Sequence, residues 1–132
     1  MENTRTERLT PVELAFIGDA VYTLYVRERL VSSSDAVVGT LHTATTGYVN
    51  AGRQAAVYDA LCNGGLLTDV ELDIGRRAKN AHLHSRAKAA SIGDYHKATA
   101  LEAIIGYVHL SGDADREKQL LELCVSFSQS NR

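Results

Sequence analysis

Two carboxylates stand alone in the two most apolar stretches of the sequence. Asp19 is the single formally charged residue of LAFIGDAVYTLYV (residues 14–26), and Glu102 is the single formally charged residue of ATALEAIIGYVHL (residues 98–110). A carboxylate withdrawn from water is destabilising unless it is paired, hydrogen-bonded or bound to a metal. For either acid taken singly, a position at a helix edge, satisfied by water or by a basic partner, is the simpler explanation.

Small residues flank both acids, and two helices that carry them could approach closely enough to bring the carboxylates to one site. Paired carboxylates with little positive charge on their own helices are typical ligands of a hard divalent cation, most simply Mg²⁺. We therefore predict that Asp19 and Glu102 share a metal site. The small residues are Gly18 and Ala20 in the first stretch and Ala98, Ala103 and Gly106 in the second.

Positive charge is concentrated in residues 76–97, which carry six basic side chains and one acid, whereas residues 1–75 sum to −5 and residues 98–132 to −2. Charge alone leaves two interpretations open, a solvated basic loop and an anion-binding surface. The second would link the basic stretch to the acids, since a polyanion held there would present its phosphodiester to a metal site. The six basic residues are Arg76, Arg77, Lys79, Arg86, Lys88 and Lys97.

Helix signals dominate the chain and predict an all-α fold. Thr10–Glu13, with Pro11 in the first helical position, and Thr68–Glu71 are both capping boxes. Asn50 and Asp94 are expected to cap two further helices, and the pair Gly64–Gly65 provides a left-handed stop. The predicted helices cover about 11–30, 36–47, 51–63, 69–79, 95–110 and 115–127, with a basic loop over 81–93.

The two apolar stretches are predicted to be central helices of one core. Apolar side chains surround nearly the whole of the first, which is typical of a buried helix rather than a surface helix. Its clearest core stripe is Leu14, Ile17, Val21 and Leu24.

Length and composition narrow the class of protein. With 132 residues, 45% hydrophobic and 23% charged, the chain is expected to form a single domain over residues 1–132, with a core of about 10–127 and flexible ends. Cys62 and Cys124 are too few for a disulfide scaffold and are expected to be buried free thiols. A polar N-terminus and the absence of an apolar run near ~18 residues exclude a signal peptide and a membrane span, which predicts a cytoplasmic protein.

Several segments resemble a known family. LAFIGDAV is similar to the signature segment of the ribonuclease III catalytic domain, and TALEAIIGYVHL is similar to that domain's second acidic helix. LHTATTGYVNAGRQAAV, RRAKNAHLHSRAK and YHKATALEAIIGY resemble the Mini-III ribonucleases, compact bacterial enzymes that consist of the catalytic domain alone. The resemblance covers about residues 10–125 and implies a single helical domain of the ribonuclease III type.

The resemblance assigns roles to both acids. It places Asp19 at the Gly-Asp position of the signature, and Glu102 at the glutamate of the second acidic helix, so both are implied to be catalytic residues and metal ligands. Where ordinary ribonuclease III has further acids, this chain has Val12, Ala15 and Thr99. These departures are expected of Mini-III and imply a smaller ligand set. Ala87 stands where the Mini-III loop is expected to have proline.

The implied activity is Mg²⁺-dependent endonucleolytic hydrolysis of double-stranded RNA, with Mn²⁺ as a substitute, which leaves 5′-phosphate and 3′-hydroxyl ends. The implied substrate is the precursor of large-subunit (23S) ribosomal RNA, presented with the help of a ribosomal protein. The implied assembly is a homodimer, with one site for each strand. Because duplex RNA hides its base edges, recognition is expected through shape, phosphate and 2′-hydroxyl contacts. The expected RNA-binding residues are Arg76, Arg77, Lys79, Asn80, Arg86 and Lys88.

Two other classes of function are open to a helical domain of this size. A non-catalytic RNA-binding module would keep the basic stretch but would have no use for two costly acids. A structural helical adaptor would need neither the acids nor the concentrated basic charge. The composition therefore favours the enzyme over both.

Overall fold

The computed structural model describes residues 8–33, 35, 37–81 and 91–130, and in these residues the chain is helical and contains no strand. The all-α prediction is confirmed. Residues 82–90, which include most of the predicted basic loop, lie outside the described residues. The described helices are α1 (Pro11–Ser33), α2 (Val38–Tyr48), α3 (Ala51–Asn63), α4 (Asp69–Lys79), α5 (Ile92–Leu110) and α6 (Ala114–Ser130).

Three predicted helix starts are confirmed by their side-chain caps. The backbone N–H groups of Thr10 and Thr68 donate to the carboxylates of Glu13 and Glu71, each at 2.9 Å, and each threonine hydroxyl accepts the return bond. Asn50 accepts the backbone N–H of the third residue of α3 at 2.9 Å. These bonds satisfy amide groups that a helix start otherwise leaves without a partner.

Other boundaries differ from the prediction. Asp94 does not cap α5, because Ser91 does: its hydroxyl accepts the backbone N–H of Asp94 at 3.0 Å, and Asp94 lies in the first turn. Helices α1 and α6 each extend three residues beyond the predicted end, since serine is only mildly unfavourable within a helix. Of the pair Gly64–Gly65, only Gly65 adopts the left-handed conformation, with φ of 66°.

Helix α5 is the centre of the core and packs against α1, α3, α4 and α6. Its crossing with α1 is formed by two glycines, as predicted from the small residues beside the acids. A Cβ on Gly18 would lie 1.7 Å from the carbonyl oxygen of Glu102, and a Cβ on Gly106 would lie 2.0 Å from that of Leu14. The two backbones are therefore in direct contact, which no larger residue at either position would permit.

The predicted core stripe of α1 is partly wrong. Leu14 is buried and Ile17 and Val21 are half-buried, but Leu24 is 59% exposed. The face that packs against α5 is offset around the helix and contains Gly18 in place of a large apolar residue. The buried residues of α1 are Leu14, Ala15, Gly18, Tyr22 and Val26.

Several large apolar side chains on the opposite face of α1 are exposed, so this helix is not enclosed within one copy of the chain. Phe16 is 80% exposed, and Val12, Leu24 and Val31 are exposed as well. Phe16 and Val12 also line an apolar groove of about 410 Å³, together with Leu9, Glu13, Ile17 and Leu110. We refer to Val12, Phe16, Leu24 and Val31 below as the apolar face of α1.

A buried ion pair fixes the orientation of α4. Glu71 is 3% exposed, and Arg116 of α6 binds both of its carboxylate oxygens at 2.6 and 2.8 Å. Although burial acts in the opposite direction, the hydrogen bonds from Arg116 and Thr68 lower the pKa of Glu71. Arg116 also donates to the carbonyl oxygen of Leu66 at 2.9 Å, just before α4. The N-terminal end of α4 is thus held to α6, and its basic C-terminal end is held in place with it.

Both cysteines are free, as predicted; Cys124 is buried, whereas Cys62 is only half-buried. Among the helices in the described part of the chain, none has the length and apolar character needed to cross a membrane.

Candidate active site

The crossing of α1 and α5 brings the two predicted acids together. Gly18, which precedes Asp19, contacts the backbone of Glu102 directly, so the two carboxylates emerge from adjacent turns of the two helices. The Asp19 carboxyl lies close enough to the Glu102 carboxyl to help raise its pKa. Asp19 is exposed, whereas Glu102 is half-buried. The predicted pairing of the acids is therefore present in the structure, at the boundary between the core and solvent.

The two acids differ in environment, and Glu102 is strongly perturbed. Burial, reinforced by the adjacent Asp19 carboxylate, raises the pKa of Glu102 from its ordinary 4.5 to about 8. At neutral pH the pair therefore retains a proton, because two carboxylates at one partly desolvated site cannot both ionise freely. A divalent cation would relieve this repulsion and favour the doubly ionised form.

Among the described residues, each acid has an uncharged hydrogen-bond donor. The hydroxyl of Thr23, one turn after Asp19, lies 3.5 Å from the Asp19 carboxylate. The side-chain amide of Gln54, on α3, donates to Oε2 of Glu102 at 3.3 Å. Sequence reasoning missed Gln54. The available signal was its place on the buried face of α3, at helical spacing from Val57, Tyr58 and Leu61.

The donor set fits Mg²⁺. This ion binds proteins through one or two carboxylates and completes its shell with waters and substrate phosphates. Across residues 8–81 and 91–130, so far as they are described, no group of three or more His, Cys, Asp or Glu side chains converges on a metal position. Thr99 is 6% exposed, and its hydroxyl donates to the carbonyl oxygen of Tyr95 at 2.9 Å within α5. Asp19 and Glu102 are therefore the acidic ligands this site offers.

The basic residues that are described cluster at the end of α4. Arg76 and Arg77 are exposed in its last turn, and Asn80 is its C-cap. Arg76 is paired with Asp73 at 2.8 Å, whereas Arg77 has no ion-pair partner among the described residues. Of the expected RNA-binding residues, Arg86 and Lys88 lie outside the described residues, as does Ala87.

Lys79 places this cluster beside α3, the helix that carries Gln54. Its ammonium group lies 5.9 Å from the centre of the Tyr58 ring. Tyr58 is one helical turn beyond Gln54, and residues four apart share a helix face. The basic end of α4 thus adjoins the same side of α3 that contacts Glu102.

Lys97 does not belong to this cluster. Its ammonium group binds Asp59 at 2.9 Å, so its charge is used within the protein. Part of the positive charge counted in residues 76–97 is therefore structural.

Both a family model and individual relatives relate this chain to the ribonucleases III. The family model of the Ribonuclease III domain matches residues 12–113. Proteins named Mini-ribonuclease 3 from Enterococcus faecalis, Thermoanaerobacter sp. and Brevibacillus brevis are 36%, 41% and 42% identical to this chain. The matches cover 90%, 89% and 92% of this chain and 90%, 81% and 90% of the respective relatives.

A solved structure is also similar over nearly the whole chain. The X-ray crystal structure of a protein from Fusobacterium nucleatum superposes with a TM-score of 0.81 at 29% identity. The similarity covers 96% of this chain and 98% of that one.

Proposed function

Since the chain belongs to the Mini-ribonuclease 3 group of the ribonuclease III family, it is an endoribonuclease. We propose that it cleaves double-stranded RNA and that Asp19 and Glu102 hold the Mg²⁺ required for cleavage. The observation that carries this proposal is the contact of Gly18 with the Glu102 backbone, which brings two lone carboxylates from separate helices to one solvent-facing position.

The two acids have different tasks in this proposal. Asp19 is exposed and faces the solvent from which RNA arrives, whereas Glu102 binds from the half-buried side. Asp19 and Glu102 would hold Mg²⁺, which would supply activation of a water and neutralisation of charge on the phosphoryl oxygens. Two acidic ligands leave most of the coordination shell for water and phosphate, as a hydrolytic site requires.

The basic end of α4 binds the RNA backbone. Arg76, Arg77 and Lys79 occupy the last turn of this helix, and Lys79 lies beside the face of α3 that reaches Glu102. Contacts to phosphate position a nucleic acid without reading its sequence. Together with Asn80, and with Arg86 and Lys88 of the neighbouring segment, these residues hold duplex RNA so that a phosphodiester lies over the two acids.

The active form is a homodimer. A duplex has two strands, and two-fold pairing of the chain supplies one site for each. The apolar face of α1 and its adjoining groove support this assembly, because an exposed Phe16 with apolar neighbours is typical of a surface covered by a partner.

The products carry 5′-phosphate and 3′-hydroxyl ends, and the natural substrate is the double-stranded stem of the 23S ribosomal RNA precursor, met in the cytoplasm and presented by a ribosomal protein. Family membership supports these points. Ligation of the products to a 3′-hydroxyl acceptor, with and without prior phosphatase treatment, tests the end chemistry. Incubation with precursor RNA, with and without ribosomal proteins, tests the substrate.

A non-catalytic RNA-binding module of the same fold is the second candidate, and the half-buried Glu102 argues against it. A binder gains nothing from a carboxyl that repels its neighbour. Cleavage of long double-stranded RNA in Mg²⁺, but not in chelator, tests the enzyme directly. Single-stranded RNA of the same sequence serves as the control and should remain intact, whereas equal cleavage of both would contradict the duplex specificity.

A further inference from the structure

Gln54 is a buried amide whose side chain reaches the candidate metal site from a third helix. It is 3% exposed, and its amide nitrogen lies 3.3 Å from Oε2 of Glu102. The two residues are 48 positions apart, so this contact depends on the packing of α3 against α5. A buried primary amide destabilises the fold unless it is hydrogen-bonded, and an apolar residue would fill the position without that penalty.

The start of α3 holds Gln54 in place. Asn50, the N-cap, accepts the backbone N–H of Arg53 at 2.9 Å and donates to the carbonyl oxygen of Thr46 at 2.9 Å, which ties α3 to the end of α2. The backbone N–H of Gln54 donates to the Asn50 carbonyl oxygen at 2.9 Å. Gln54 therefore projects from the first turn of α3, which Asn50 bonds both to the end of α2 and to the backbone of α3 itself.

An amide is well suited to this position beside a cation site. A lysine here would also donate to Glu102, but its positive charge would compete with the cation for the carboxylate. A leucine would leave the carboxylate free to rotate. An uncharged donor restrains Glu102 without adding a positive charge that would compete with the cation.

We infer that Gln54 is a positioning residue, which binds one oxygen of Glu102 and thereby presents the other to the cation shared with Asp19. This inference rests on the proposed function for its catalytic consequence, but the effect on Mg²⁺ binding is separate from it. Outer-shell hydrogen bonds to metal ligands typically change metal affinity or activity by about 10–100-fold.

Gln54→Met tests the inference, because methionine has nearly the same length and no amide donor. We expect the Mg²⁺ concentration at the midpoint of metal-dependent thermal stabilisation to rise about 10–100-fold. The Mg²⁺ requirement for cleavage should rise in parallel, and at a fixed Mg²⁺ concentration kcat should fall while KM for duplex RNA changes little. Gln54→Asn, which keeps an amide one methylene too short, should behave like Gln54→Met and replaces it if that variant does not fold.

Gln129→Met is the control for loss of an amide donor at an exposed position outside the candidate site. Its amide also donates across 3.3 Å, to the Tyr48 hydroxyl, from the last helix. Its Mg²⁺ midpoint should equal that of the parent. If the Gln54 variants retain the parental Mg²⁺ midpoint and kcat, or merely melt lower by the same amount with and without Mg²⁺, the inference is wrong. If the parent binds Mg²⁺ but leaves duplex RNA intact, the proposed function fails, and the Mg²⁺ midpoints still decide the role of Gln54.

Discussion

Gly18 and Gly106 lie against each other's helices so closely that neither can carry a side chain. A Cβ on Gly18 would overlap the Glu102 carbonyl oxygen at 1.7 Å, and one on Gly106 would overlap the Leu14 carbonyl oxygen at 2.0 Å. Because both obstacles are backbone atoms, the helices themselves would have to separate. This contact sets the distance between the two acids, so it links the stability of the fold to the geometry of the site.

Gly18→Ala should therefore lower the free energy of unfolding by about 3 kcal/mol or more, at the upper end for an overpacked core. It should also reduce cleavage, because separated helices move Asp19 away from Glu102. Gly93→Ala, on α5 but with open space around the added methyl, is the control and should be neutral or slightly stabilising. Urea unfolding of both variants measures the difference. Equal stability of the two would show that the helices part easily.

The raised pKa of Glu102 predicts how stability depends on pH. The folded state holds the proton up to about pH 8, whereas the unfolded chain releases it near 4.5. The contribution of the Glu102 proton to the stability of the folded state is thus complete below pH 4.5 and is lost as pH rises through the folded pKa of about 8. In chelator, Glu102→Gln should remove this loss, so the difference in melting temperature between variant and parent should grow from pH 4.5 to 8. A constant difference would contradict the perturbed acid.

Phe16→Glu tests the apolar face of α1. A charge on this 80% exposed side chain should leave the folded monomer intact but prevent a second copy from covering the face. We expect sedimentation to give a dimer for the parent and a 14.3 kDa monomer for the variant. The variant should cut duplex RNA much more slowly. A parent that is monomeric while still cleaving both strands would refute the dimer.

The basic end of α4 should bind duplex RNA through its charge, without regard to the RNA sequence. Because Arg77, unlike Arg76 with Asp73, has no ion-pair partner in the described part of the chain, Arg77→Ala should weaken binding to all duplex sequences about equally. The slope of log affinity against log salt should fall by about one unit for each lost phosphate contact. Lys118→Ala, an exposed cation on α6, serves as the control. Identical slopes for both variants would indicate that the basic end of α4 makes no contact with RNA phosphates.

The sequence predicted what depends on local chemistry. Capping boxes located the starts of α1 and α4, and lone acids in apolar stretches located Asp19 and Glu102. Glu102 is half-buried, as that argument requires, whereas Asp19 is exposed. Flanking glycines correctly predicted that the two helices cross closely.

The predictions that were wrong or missing concern which face of a helix packs inward and which side chains contact residues of another helix. Leu24 was expected in the core, because a helix that is apolar all round does not reveal which face packs internally. Gln54 was missed because a contact over 48 residues depends on the placement of α3, which no local pattern encodes. Ser91 competed with Asp94 as the cap of α5, and both residue types suit that position.

The central claim is that Asp19 and Glu102 form a metal-binding pair, and Asp19→Asn tests it most directly, since it keeps the shape and removes one charge. We measure melting temperature and duplex cleavage together, with Mg²⁺ and with chelator, and use Asp35→Asn, an exposed acid outside the site, as the control. The variant should be at least as stable as the parent in chelator, gain less from Mg²⁺, and lose cleavage by several orders of magnitude while still binding duplex RNA. A variant that melts much lower in chelator yet still cuts RNA would contradict the metal-binding pair.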